Sequence, residues 1–197
     1  MPPMTMMKPA PLPYIFEDRT GAINTSDFDD MYDRQFYTVA RTVPHVPITK
    51  IYKMERRSSR HRNRMSGYHN PLIALEFQPD EALGKITFNM PDGRTYTLPM
   101  GSYLRKISIW GGSRSRKFVA CDGVEYRWNY RTVPGHEWTC TTAAENTLVA
   151  HFNLKPPQDR VYDVSGNTLT IYEQFIHLAP EIIATLTIMR HILQYNL

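Results

Sequence analysis

The chain has 197 residues, 42% hydrophobic and 21% charged, with a formal net charge of +4. That composition excludes a disordered chain and suits one domain with a real core, and the mild basic excess permits a polyanionic partner without demanding one. Two cysteines, Cys121 and Cys140, are too few for a disulfide framework, and no apolar signal stretch opens the chain, so the expected setting is reducing: cytoplasmic, or peripheral at membranes.

Residues 1–13 hold five Pro and four Met, which cannot pair as a central strand and read as a loose tail. Residues 17–33 are acidic, with Glu17, Asp18, Asp27, Asp29, Asp30 and Asp33 against Arg19. Residues 1–33 are therefore expected to form a flexible N-terminal segment and 34–197 the folded domain. Strands are expected over Gln35–Thr42, Ile48–Met54 and Leu72–Phe77. Ile86, Phe88 and Met90 then alternate with polar residues, and Pro91-Asp92-Gly93 turns the chain into a strand whose apolar places are Tyr96 and Leu98. Lys117–Cys121 meets Asp122-Gly123 and returns as Val124, Tyr126 and Trp128, while Tyr162–Val164 meets Ser165-Gly166-Asn167 and returns as Thr168–Phe175. Asp-Gly favours a two-residue hairpin turn in which both central residues have positive φ. Repeated hairpins with strict alternation predict an antiparallel meander, closed as a barrel or stacked as a sandwich.

The chain then changes character. Pro180 and Glu181 suit the first turn of a helix. Ile182, Ile183, Leu186, Met189, Ile192 and Leu193 recur at three- and four-residue spacing, with Thr187, Arg190, His191 and Gln194 as a short polar strip. The stretch without a charged or His residue, Ile182 to Met189, is far shorter than the roughly 20 residues of a membrane span. The helix, about 180–195, is expected to be buried inside the sheet, and no transmembrane segment is expected.

The run Ser113-Arg-Ser-Arg-Lys-Phe-Val-Ala-Cys-Asp-Gly-Val-Glu-Tyr-Arg-Trp128 resembles a signature of an uncharacterised domain family of mushroom-forming fungi. Trp138, the strand Leu148–Phe152 and the apolar helix from Glu181 follow in the same order. That family is similar to the tubby-like and LURP-one-like group. The resemblance implies a mainly β fold: a closed antiparallel barrel of roughly twelve strands around a hydrophobic C-terminal helix. It also implies a link to phosphoinositides and membranes. The Pro/Met-rich start and the Arg-rich stretch near residues 55–65 depart from the pattern.

Two basic clusters carry the candidate chemistry. Arg56, Arg57, Arg60, Arg62 and Arg64, with Lys53 beside them, form an Arg-rich loop that could grip phosphate through bidentate, charge-assisted bonds. Arg114, Arg116 and Lys117 follow Gly111-Gly112 and could join the first cluster if the two loops open at one end of the barrel. Tyr52 and Tyr68 only flank the first cluster, which makes a nucleic-acid partner unlikely. The seven His show no metal-ligand spacing, and no nucleophile elbow, P-loop or dinucleotide turn is present. No catalytic residue, metal site or cofactor is expected. The leading expectation is a non-enzymatic cytosolic module that docks to anionic phospholipid headgroups through the Arg-rich loops. The alternatives are a protein-interaction adaptor using the tail or the acidic segment, and a small-molecule binder using a pocket at the barrel mouth.

Overall fold

Hairpin after hairpin, the chain lays down one antiparallel sheet of thirteen strands in the computed structural model, which describes residues 12–41, 47–57, 70–107, 114–155 and 165–197. The strands are β1 (Tyr14–Asp18), β2 (Ser26–Asp30), β3 (Phe36–Arg41), β4 (Ile48–Met54), β5 (Ile73–Glu76), β6 (Lys85–Asn89) and β7 (Thr95–Pro99). A short helix, α1 (Met100–Tyr103), leads into β8 (Arg105–Lys106), β9 (Arg116–Val119), β10 (Glu125–Tyr130), β11 (Trp138–Thr142), β12 (Leu148–Asn153) and β13 (Asn167–Ile171). A 3-10 turn (Glu173–Leu178) then feeds α2 (Ala179–Tyr195). The strand order is β7-β6-β5-β4-β3-β2-β1-β13-β12-β11-β10-β9-β8, so the first and last strands are neighbours in the middle and β7 and β8 are the two edges.

The sheet curls around α2. Along that helix Ile182, Ile183, Ala184, Leu186, Ile188, Met189 and Ile192 are each at most 1% exposed, and Thr187 and His191 of the expected polar strip are buried as well. The helix reaches strands on every side. Trp128 of β10 donates its indole N–H to Thr185 at 2.9 Å, Arg190 meets Asp18 at 3.3 Å and lies over the Phe152 ring, and His191 meets the Glu81 carbonyl at 2.7 Å. Burying one such apolar side chain contributes about 1.5–3 kcal/mol, so the helix supplies on the order of 10 kcal/mol, comparable with the whole stability of a domain. The stretch Glu173–Tyr195 is long and apolar enough to cross a bilayer by composition, but 78% of its apolar window is buried inside the protein.

Several expectations change. Residues 14–30 are not a flexible segment: β1 pairs with both β2 and β13 in the centre of the sheet, and Phe16 and Phe28 sit in the core. The acidic side chains there are spent on internal bonds, Asp30 accepting from Arg34 and from the Ile15 N–H. The strand expected to reach Phe175 stops at Ile171. The two Asp-Gly turns have positive φ only at Gly93 and Gly123. Asp92 and Asp122 keep negative φ and accept the N–H two residues on, at 3.0 and 2.9 Å, so these are type I turns followed by a glycine bulge. The expected strand Tyr162–Val164 lies outside the described residues.

The sheet has thirteen strands rather than roughly twelve, and it is not closed by hydrogen bonds. An all-antiparallel ring needs an even number of strands. With thirteen, β7 and β8 run the same way, each six antiparallel steps from β1. Parallel neighbours need a crossover of a dozen or more residues, and only residues 100–104 join β7 to β8. The chain cannot return far enough to build a ladder. Instead α1 lies against β7 and β9 and fills part of the seam, with Met100, Tyr103 and Leu104 buried.

Candidate functional site

The seam left by this arithmetic is the candidate site. We call the end where α2 enters the sheet the upper end; the β2–β3, β4–β5, β6–β7 and β9–β10 connections lie there. At the upper end of the seam a cavity of about 510 Å³ opens to solvent. One wall is Phe88, Met90, Tyr96 and Leu98 of β6 and β7 and the turn between them; the other is Val119, Ala120 and Cys121 at the end of β9. Met90 and Tyr96 hold apolar places in the alternation of the β6–β7 hairpin, yet are 46% and 57% exposed, because β7 is an edge of the described sheet.

The inner end of the cavity is polar. Glu181, in the first turn of α2, lines it while only 6% exposed. Its Oε1 accepts the Tyr103 hydroxyl, and its Oε2 accepts the Cys121 backbone N–H at 3.0 Å. Tyr103 is fixed in turn by Phe88 and Phe118, with ring centroids 5.4 and 5.7 Å away. Burial first, and the neighbouring Glu181 second, push the Tyr103 phenol well above its usual range, so it stays a donor. The same causes push the Cys121 thiol up to about 11. At neutral pH Cys121 is a thiol and not an activated nucleophile. Burial also raises the Cys140 thiol, which sits fully buried in the core. Among the described residues no group of three or more His, Cys, Asp or Glu is placed to hold a metal ion. The cavity combines apolar walls with the Glu181 carboxylate, the Tyr103 phenol and the Cys121 thiol, a lining that can bind and orient a ligand.

The basic residues are arranged differently. Lys53 and Arg56 are exposed, at the upper end of β4 and just beyond it. Arg57 folds back onto the acidic segment, bonding Asp33 Oδ1 at 2.7 Å and the Asp30 carbonyl at 2.8 Å, with Glu17 at 3.7 Å. Burial works against its charge, but Asp33, Asp29 and Glu17 more than offset that and hold the guanidinium above its usual range. Arg116 is 3% exposed and donates to an oxygen of Leu197 at 3.1 Å. Lys117 reaches Glu125 at 3.2 Å, and Arg114 lies over the Tyr130 ring. Arg60, Arg62 and Arg64 lie outside the described residues. β4 and β9 are parallel, eight antiparallel steps apart, so Arg56 and Arg57 at the end of β4 and Arg114 and Arg116 at the start of β9 lie at opposite ends of the sheet. Among the described residues the two groups are not brought together.

Fold and cavity define a class: a mainly β protein whose antiparallel sheet wraps a C-terminal helix and opens at one unpaired seam. The chain belongs to the family of unknown function DUF6593, which it matches over residues 20–194. An X-ray structure of a protein from Arabidopsis thaliana is similar over 93% of each chain, at 11% identity and a TM-score of 0.49. No curated protein matches.

Neither Glu181 nor Tyr103 stands out as a site residue when the sequence is read alone. Glu181 looks like a helix-start residue. The available signal was its position: a carboxylate in the first turn of a helix otherwise apolar enough to be buried all round.

Proposed function

We propose that this protein is a non-enzymatic binding module whose ligand sits in the seam between β7 and β9, on a scaffold that corresponds to the closed tubby-like and LURP-one-like barrel of the fungal signature, with α1 in place of the last strand pairing. The observation that carries this reading is the seam cavity itself. It has the size range of small-molecule sites, apolar walls and a few convergent polar groups at one end. The test is titration of N-phenyl-1-naphthylamine, a neutral apolar fluorophore. Saturable enhancement is expected with the native chain. It should be at least ~10-fold weaker with Val119→Trp, which fills the cavity from a side chain 44% exposed and so leaves the core alone. Equal binding by both proteins would sink the reading.

Docking to anionic phospholipid headgroups is a second reading, favoured by the exposure of Lys53 and Arg56 where the Arg-rich stretch begins. Arg57 and Lys117 are paired within the protein and Arg116 is buried, so this reading rests on the exposed Lys53 and on Arg60, Arg62 and Arg64, which lie outside the described residues. Each basic residue near an anionic surface contributes about 1 kcal/mol. Co-sedimentation with phosphoinositide-containing vesicles at low salt should then fall when Arg56, Arg60, Arg62 and Arg64 are changed to Ser. Sedimentation with neutral vesicles to the same extent would refute it.

A further inference from the structure

Glu181 is a carboxylate at the closed end of an apolar cavity, and among the described residues no cation pairs with it. Its bonds come from a phenol, a backbone amide and the Cys121 thiol, all neutral. The first turn of α2 favours a negative charge there. Asp122, whose carboxylate accepts the Tyr126 hydroxyl, adds further negative charge beside Cys121. Among the described residues the one cation on the cavity wall, Arg105, is held at the rim by Glu125 at 2.9 Å. Buried charges are ordinarily paired, and a carboxylate, with about four lone-pair sites, has room for one more donor beside these neutral ones.

Resting on the seam reading, we propose that the cavity takes an apolar molecule carrying a primary ammonium head, with the head on Glu181 and the hydrocarbon along Phe88, Leu98 and Val119. An ammonium supplies the missing counter-charge and donates to the open lone pair of Glu181. A hydroxyl head donates without the charge. A carboxylate head meets Glu181 as a like charge in an apolar setting.

The experiment is displacement of N-phenyl-1-naphthylamine at neutral pH by decylamine, decanol and decanoate, each below its aggregation limit. A charge-assisted bond predicts that decylamine displaces at a concentration ~10-fold or more below that of the other two. In Glu181→Gln, which keeps the side-chain shape, the three should converge to within a fewfold of one another while the fluorophore still binds. If the native protein ranks the three equally, or prefers decanoate, the ammonium assignment is overturned while the seam reading stands. If the native protein gives no saturable fluorophore binding, the seam reading falls as well. The ranking on the native chain decides the matter even if the Gln variant does not fold.

Discussion

At the scale of single residues, the buried ionisable groups tie the stability of this protein to pH. Asp30 is fully buried and is bonded by the Arg34 side chain at 2.8 and 3.0 Å, by the Arg34 N–H and by the Ile15 N–H. Burial alone would raise its carboxyl, but the Arg34 bonds outweigh that and hold it below the usual range. A depressed carboxyl contributes stability above its unfolded value, and loses it as pH falls through the folded one. His151 acts in a higher window. Burial, and the His136 ring stacked 4.0 Å away, lower it to about 4 from an ordinary 6.5. Its neutral form is the folded one, so its contribution is complete above pH 6.5 and drains away between there and about pH 4. Urea midpoints measured from pH 7 downward should show this first decline, and His151→Phe should flatten it. Arg34→Ala should cost about 3 kcal/mol, the low end for a buried pair that loses one member, because Arg34 is 29% exposed.

At the scale of elements, α2 is the core around which the strands are ordered. Leu186 is 1% exposed near its middle. Leu186→Ala should cost about 2–5 kcal/mol by the cavity it leaves, and Leu186→Asp should abolish folding, since an unpaired buried charge is costlier still. Soluble Leu186→Asp protein with a native near-ultraviolet spectrum would contradict the central placement of the helix. The connections obey equally local demands. In the β5–β6 connection Gly84 approaches the backbone so closely that an added Cβ would fall 1.9 Å from the Glu76 carbonyl oxygen, so no other residue fits without moving the chain.

At the scale of the whole molecule, the sheet depends on its two most distant strands. β1 at residues 14–18 pairs with β13 at residues 167–171, and β13 leads through the 3-10 turn to α2. Removing residues 1–33 would therefore split the sheet in the middle, and the expected outcome is loss of the cooperative thermal transition. A truncated chain that melts with the native midpoint would show that the first two strands are dispensable. The same pairing joins nearly opposite ends of the chain, so folding should be slow for a domain of this size.

Hairpin periodicity, the Gly-containing turns and the apolar spacing of the last helix were legible in the sequence because each is a local pattern with a period of its own. From those patterns follow the mainly β class and the burial of α2, since an apolar helix after a long run of half-apolar strands has one economical place to go. The pairing of β1 with β13 was not legible, because the acidic residues that make residues 17–33 look like a solvated tail are neutralised by Arg34 just beyond the segment and by Arg57 and Arg190 from farther along the chain. Nor was the candidate site. Whether thirteen strands close or leave a seam depends on strand count and crossover length together, and the surroundings of Glu181 come from α1, β9 and α2, elements separated by up to 78 residues that meet only when the sheet has curled.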